Sequence, residues 1–389
     1  MNANLSKIPF RQTQELLSLV DMTLREICCR KFSGKELYVE ALQKVLGNNE
    51  GRSPESVFIV FNVPEKDAIQ GRVFFMNSAG FVEQSDMVSI DLADICAINL
   101  SGVDVVRSNW CDTCESMERY QEKFHPTVKR VIAKPICNFV SKRISGEPSG
   151  AIIAFNYPNE ATTYDADVLN SLSVVIGSLV TLSTKLQETE NAFIYTIEAL
   201  ARACEAADED TGNHIVRVNR YSKELARALG LPQQFVETIA YSAQMHDVGK
   251  VHIPTAIIRK EGPLDDHEMT VMKQHPASGA KIIGNAPRLA MAREIAHSHH
   301  ENWDGSGYPG SLAGEEIPLS GRIVKVADVY DALRSKRSYK PAFSHEKVLE
   351  IFRSGDARIR PEAHFDPLAL HAFFSIEQAM AAIHTELQD

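Results

Sequence analysis

Thirteen histidines occur in this 389-residue chain, and all but His125 fall in its second half. Several stand beside acids, as His246-Asp247 and His299-His300-Glu301 do. Imidazole and carboxylate together ligate divalent ions such as Fe, Mn, Zn and Ni. No cysteine stands among these candidates, which argues against a structural zinc cage. An adjacent His and Asp on a helix lie about 100° apart. Both reach a metal pocket where the helix passes it tangentially, and the Asp has two oxygens with which to bridge two ions. A lone His-Asp pair carries little information, because such dipeptides arise by chance. The surrounding segments carry more: His214 in DEDTGNH, His275 in KQHPASG, His299 and His300 opening HHENWDGSGYPG, and Asp328 in KVADVYDAL.

These segments resemble the HD-GYP family of cyclic di-GMP phosphodiesterases. The stretches that carry the resemblance are DTGNHIVRV (210–218), HDVGKVHIP (246–254), HPASGAKII (275–283), HHENWDGSGYPG (299–310) and RIVKVADVYDALRSKRSYKPA (322–342). It covers residues 190–370. The resemblance implies an all-α HD-type bundle holding two or three divalent ions, Fe or Mn first, with Zn or Ni as alternatives. It makes His214, His246, Asp247, His275, His299, His300 and Asp328 metal ligands, with Asp247 bridging. Some family members carry a Glu at the position of Asp210 and bind a third ion; the shorter Asp here leaves that ion an open question. Lys250 would sit beside the scissile phosphate, four residues after His246 and on the same helix face. Arg337 and Lys340 would grip the phosphates or guanine of the substrate. Two-metal chemistry would then open cyclic di-GMP to linear pGpG, and a second cut would give GMP. A cyclic GMP–AMP hydrolase and an inactive dinucleotide receptor are the alternatives; the full set of ligand positions favours an enzyme.

Other residues read more plainly. His252, His267, His297 and His364 have no matching metal role and read as surface or helix-end histidines. The turn-rich loop Gly305–Gly310 matters more for its shape than for Tyr308 or Pro309 as catalysts. Trp303 either stacks on a base or anchors that loop. Cys111 and Cys114 form a C-x-x-C, for which Cys96, Cys137 or His125 could complete a zinc site; ordinary loop thiols are the simpler reading.

The elements that must position these groups fall into three stretches. Residues 1–163 mix a helical pattern at Gln12–Cys29 with strand-like runs at Val57–Val63, Arg72–Met76, Met87–Leu92 and Ala151–Tyr157. This α+β order resembles a GAF sensory domain, which implies an unidentified small-molecule ligand. Residues 164–200 repeat apolar positions every three to four residues, either as a dimerising coiled-coil seam or as one face of a core helix. Residues 201–389 read as helices with functional loops. The net charge of −10 argues against a DNA or RNA polymer as partner. No apolar run reaches a membrane span and no signal-peptide pattern opens the chain. Seven cysteines at irregular spacing suit a reducing compartment. The expectation is a cytoplasmic homodimer.

Overall fold

The computed structural model describes residues 34–47, 51–84, 87–91, 105–205, 213–335 and 342–387. The helix expected at Gln12–Cys29 lies outside them, as do Asp210, Arg337 and Lys340. The chain divides into two compact units, Met1–Thr189 and Glu190–Asp389.

The first unit is built on a seven-stranded sheet with strands β1 (Ser56–Val63), β2 (Ala68–Asn77), β3 (Gly80–Glu83), β4 (Val88–Asp91), β5 (Val105–Asn109), β6 (Asn138–Ile144) and β7 (Gly150–Phe155). Their order is β3-β2-β1-β7-β6-β5, with β4 also on β2, and every pairing is antiparallel. Alternation along β1 and β7 explains the layering. Val57, Ile59, Ile152 and Ala154 face one core, while Phe58, Val60, Ile153 and Phe155 face another. Helix α1 (Gly34–Leu42) contributes to the first core. The second receives Tyr120, Phe124, Val128 and Ile132 from α3 (Met117–Gln121), α4 (Pro126–Ile132) and the turn between them. A short helix α2 (Trp110–Thr113) follows β5.

Helix α5 runs Thr163–Glu205, so the segment 164–200 lies within one helix. Leu169, Leu172 and Ile176 belong to the first unit's core, and Ile197 and Ala201 to a core of the second. Val174, Leu186, Tyr195 and Leu200 are exposed. By length and composition alone Thr163–Cys204 is long and apolar enough to cross a membrane, a test that core helices also pass, and residues of this helix are buried in the cores named above. Short apolar runs such as Val174–Ile176 understate this helix, because Ser, Thr and Gly interrupt them without adding charge.

The second unit is helical, and its bundle is formed by α6 (Asn213–Ala228), α7 (Gln233–Ser242), α8 (His275–Ile283), α9 (Ala290–Ser298), α10 (Leu319–Arg334), α11 (His345–Ser354), α12 (Pro367–Ser375) and α13 (Glu377–Glu386). Its largest core joins Val218, Tyr221 and Leu225 of α6 to Ile323, Ala327 and Tyr330 of α10 and to Phe352 and Phe373. Among the described residues, strand pairing in this unit is limited to an isolated bridge between Asp304 and Ala313.

Candidate metal centre

His246 and Asp247 do not sit within an α-helix. They fall at a break between two 3-10 segments, Ala243–Met245 and Val248–His252, and Asp247 takes φ −100°, ψ 8°. This backbone region is sparsely allowed and recurs at active sites. The expected α-helical pairing of Lys250 with His246 is corrected accordingly. A 3-10 turn brings positions i and i+3 together, and Lys250 Nζ lies 2.8 Å from Asp247 Oδ2. Gly249 lets this turn press onto the start of α8, where a Cβ would stand 1.9 Å from His275 O.

His275 opens α8, His299 ends α9, His214 lies in the first turn of α6 and Asp328 lies in α10. The fold brings them together. His275 Nε2 and His299 Nε2 lie 3.2 and 3.6 Å from Asp247 Oδ1, and His246 Nε2 lies 3.2 Å from Asp247 Oδ2. Asp328 Oδ1 lies 3.8 Å from His214 Nε2 and 3.9 Å from His246 Nε2. Donor atoms of Asp247, His275, His299 and His300 lie within 4.8 Å of one another, and so do those of His214, His246 and Asp247. Asp247 belongs to both groups.

The far sides of the rings fix their tautomers. His246 Nδ1 lies 2.9 Å from Ala243 O, His275 Nδ1 lies 2.8 Å from Met272 O, and His299 Nδ1 lies 3.1 Å from both Ile295 O and Ala296 O. A carbonyl only accepts, so in each ring Nδ1 carries the proton and donates it. His214 Nδ1 donates likewise to Asp331 Oδ2 at 2.8 Å. In the neutral rings this leaves four Nε2 lone pairs turned toward shared space. Those of His275 and His299 face each other at 3.4 Å, an arrangement that calls for a proton or a cation between them. His246 Nε2 and Asp247 Oδ1 are buried without a hydrogen-bond partner. Orphaned polar atoms are costly unless something satisfies them, and this donor set fits divalent ions.

Burial pushes the Asp247 carboxyl up, but Lys250 and then His246 outweigh it and hold the group well below its ordinary range. Burial lowers His299, and it lowers His300 further, with His299 and His275 adding to the effect on His300. For His246 burial pulls the same way, but Asp247 and Asp328 prevail and raise the ring.

Asp331, Arg217 and Lys325 escaped the sequence reading, and Glu301 was singled out there only as an acid beside His300. Asp331 is fully buried and binds His214, Arg217 Nε at 2.7 Å and Arg217 Nη2 at 3.1 Å. Burial raises its carboxyl, yet His214 and Arg217 together bring it down to about 2. The spacing held the clue, since Asp331 follows Asp328 by three residues and Arg217 follows His214 by three. Buried Glu301 accepts from Gly310 N at 2.6 Å and from Leu312 N at 3.2 Å, so it shapes the glycine-rich loop. Gly307 packs where a Cβ would stand 2.3 Å from Asn302 N, and Tyr308 stacks on His300 at 4.8 Å and 22°. The loop's shape thus serves the cluster. The Trp303 ring lies under the Arg322 guanidinium at 5.7 Å, and the Trp303 backbone N–H donates to His364 O, which ties this end of the loop to the chain at His364. Lys325 brings a further cation to the neighbourhood. Burial pushes its ammonium down to about 8, against Asp328 and Glu301.

A family model described as an HD domain matches residues 196–366. A cyclic di-GMP phosphodiesterase of Vibrio cholerae serotype O1 is 40% identical over 258 residues, covering 61% of this chain and 51% of that protein. The 3'3'-cGAMP-specific phosphodiesterase 2 of the same organism is 36% identical over 244 residues, covering 61% and 45%. A cyclic di-GMP phosphodiesterase of Thermotoga maritima is 31% identical over 319 residues, covering 80% of this chain and 85% of that protein. The chain thus spans about half the length of the two Vibrio relatives and most of the Thermotoga one. By the HD-domain match and the extent of the Thermotoga alignment, the chain belongs to the HD-domain cyclic di-GMP phosphodiesterase family.

Proposed function

We propose that the second unit is a metal-dependent phosphodiesterase that hydrolyses cyclic di-GMP to linear pGpG, and onward to GMP. The observation that carries this reading is the set of four imidazoles whose Nδ1 atoms are tied back while their Nε2 atoms converge around Asp247. His275, His299 and His300 would hold one ion and His214 and His246 a second, with Asp247 shared and Asp328 closing the set. When bound, such ions supply Lewis acidity and lower the pKa of water. Fe or Mn suits this His/carboxylate set, with Zn or Ni as alternatives. Asp210 is the candidate ligand for a third ion.

The chain's own groups do the rest. Lys250, held against Asp247, presents a cation to the non-bridging phosphate oxygen, where charge grows as the diester opens. Arg337 and Lys340 pair with phosphate or guanine acceptors. The loop braced by Glu301 packs Tyr308 onto His300 and bounds that side of the centre. The first unit, an antiparallel sheet with helices on its faces, supports a GAF-like sensing role for an unidentified small molecule. Leu186 and Leu200, exposed on the apolar repeat of α5, support a homodimer seam, while Leu172, Ile176, Leu179 and Ile197 of the same repeat are buried in the cores.

The likeness to a cGAMP-specific enzyme makes the mixed dinucleotide the second substrate to assay. Protein reconstituted with Fe(II), Mn(II) or Zn(II) should hydrolyse cyclic di-GMP, with linear products resolved by chromatography. Faster turnover of cyclic GMP–AMP would reassign the substrate. Tight binding of either dinucleotide without cleavage under every metal would make the chain a receptor.

A further inference from the structure

The second unit holds a small apolar core that takes no part in this reaction. It joins Ile197 and Ala201 of α5 to Ile215, Met245, Val248 and Ala296. Each of these partners stands close to a metal-ligand candidate. Ile215 follows His214, and Met245 and Val248 flank His246-Asp247. Ala296 O accepts from His299 Nδ1 at 3.1 Å. The His275 segment joins them at Gly279, one turn later in α8, where a Cβ would stand 3.3 Å from Ala296 Cβ and 3.4 Å from Val248 Cγ1. One core therefore ties α5 to the segments that carry His214, His246, His275 and His299.

Helix α5 meets this core along a single stripe. Ile197 and Ala201 are four residues apart and so share one face, with Phe193 and Cys204 packed at its two ends. Tyr195 and Leu200, off that stripe, are exposed. A clasp at the Phe193 end holds the helix. The Phe193 ring meets Tyr241 edge-on at 5.7 Å and 83°, the Arg288 guanidinium lies 3.8 Å over it, and Arg288 also pairs with Glu190.

On the metal-dependent reading of the cluster, we propose that Ile197 and Ala201 are positioning residues for the metal centre. The seat of α5 sets the spacing of the Nε2 atoms around Asp247. Protein interiors are packed as densely as organic crystals, so a change of one methylene is felt by its neighbours. Here the neighbours are the residues beside the ligands. Neither Ile197 nor Ala201 offers a donor atom; each acts through the backbone of the ligand segments. Metal affinity falls when the supports of a ligand set are removed, by roughly ten- to a hundredfold.

The test is equilibrium dialysis of Mn²⁺ against the full chain stripped of metal, at a temperature where the variants keep the circular dichroism of the wild type. Hydrolysis of cyclic di-GMP is measured alongside. Ile197→Ala opens a cavity and Ala201→Leu overfills the same space; each should weaken Mn²⁺ binding by roughly tenfold. Ile197→Val, which keeps most of the volume, should bind as the wild type does. Val348→Ala opens a cavity in the larger core of this unit. It should lower the melting temperature and leave Mn²⁺ binding unchanged, which separates positioning from plain stability. Where Ile197→Ala or Ala201→Leu fails to fold, Arg288→Ala removes an exposed side chain from the Phe193 clasp and should weaken Mn²⁺ binding by roughly threefold. A wild type that binds no Mn²⁺ overturns the metal-dependent reading and this inference with it. A wild type that binds Mn²⁺ no better than Ile197→Ala and Ala201→Leu, or than Arg288→Ala in their place, overturns this inference alone. An equal loss of binding in Val348→Ala does the same.

Discussion

The two units bury polar side chains for different ends. In the first, Asn109, Asn138 and Asn156 are buried, and each is matched to backbone groups. Asn138, for example, donates to Tyr157 O and Asn159 O and accepts from Tyr157 N. These amides close loops and leave nothing pointing into empty space. In the second, His246, His275 and His299 donate through Nδ1 to backbone carbonyls, and their Nε2 edges converge on Asp247. A buried polar group satisfied on all sides reports architecture. Several half-satisfied groups aimed at one point report a ligand.

That contrast can be broken by substitution. The largest effect is expected at His246→Ala, which removes an orphaned Nε2 from the centre. Loss of a metal ligand should remove several kcal/mol of transition-state stabilisation, so turnover should fall by roughly 10³-fold. Turnover within tenfold of wild type would detach His246 from the chemistry.

Next comes Asp331→Asn, which leaves Arg217 buried beside a neutral partner. Breaking such a pair should cost about 3 kcal/mol, read as a lower denaturation midpoint. The acid limb sharpens the test. A carboxyl held at about 2 in the fold sits below its unfolded value. It therefore adds stability above roughly pH 4 and loses it as pH falls toward 2. The Asn variant should show a shallower loss across that window, and an unchanged acid limb would remove Asp331 from the account.

Lys250→Ala should lower kcat by roughly 10²-fold while bound metal is retained, because its charge serves the transition state rather than the ions. Loss of metal along with rate would recast Lys250 as a support for Asp247. The smallest effect belongs to the first unit. Asn138→Ala should cost about 1–2 kcal/mol of stability and leave hydrolysis by the folded protein unchanged. A loss of turnover in that variant would mean that Asn138 is more than a loop closure.

The histidine–carboxylate cluster was legible in the sequence because histidine is sparse in the first half and stands beside acids in the second. The strands at Val57–Val63 and Ala151–Tyr157 were legible because their runs are β-branched and aromatic. The region of β5 and β6 was not, since Arg107, Ser108, Ser141, Lys142 and Arg143 dilute the apolar signal. The local geometry at Asp247 was hidden for another reason. Nothing in MHDVGK announces a 3-10 turn; Gly249 reveals its purpose only once His275 O is seen against it. Asp331 and Glu301 were hidden because each acts through another residue, and such roles leave only a spacing of three or a simple adjacency as a trace.

The most direct test of the account is metal content and turnover measured on the same preparations of wild type and Asp247→Ala. Asp247 is the residue shared by the two donor groups. The account predicts at least two divalent ions per wild-type chain, a marked loss of bound metal in Asp247→Ala, and hydrolysis of cyclic di-GMP lost with it. An Asp247→Ala protein that kept its full complement of metal and its full activity would contradict the shared-carboxylate centre.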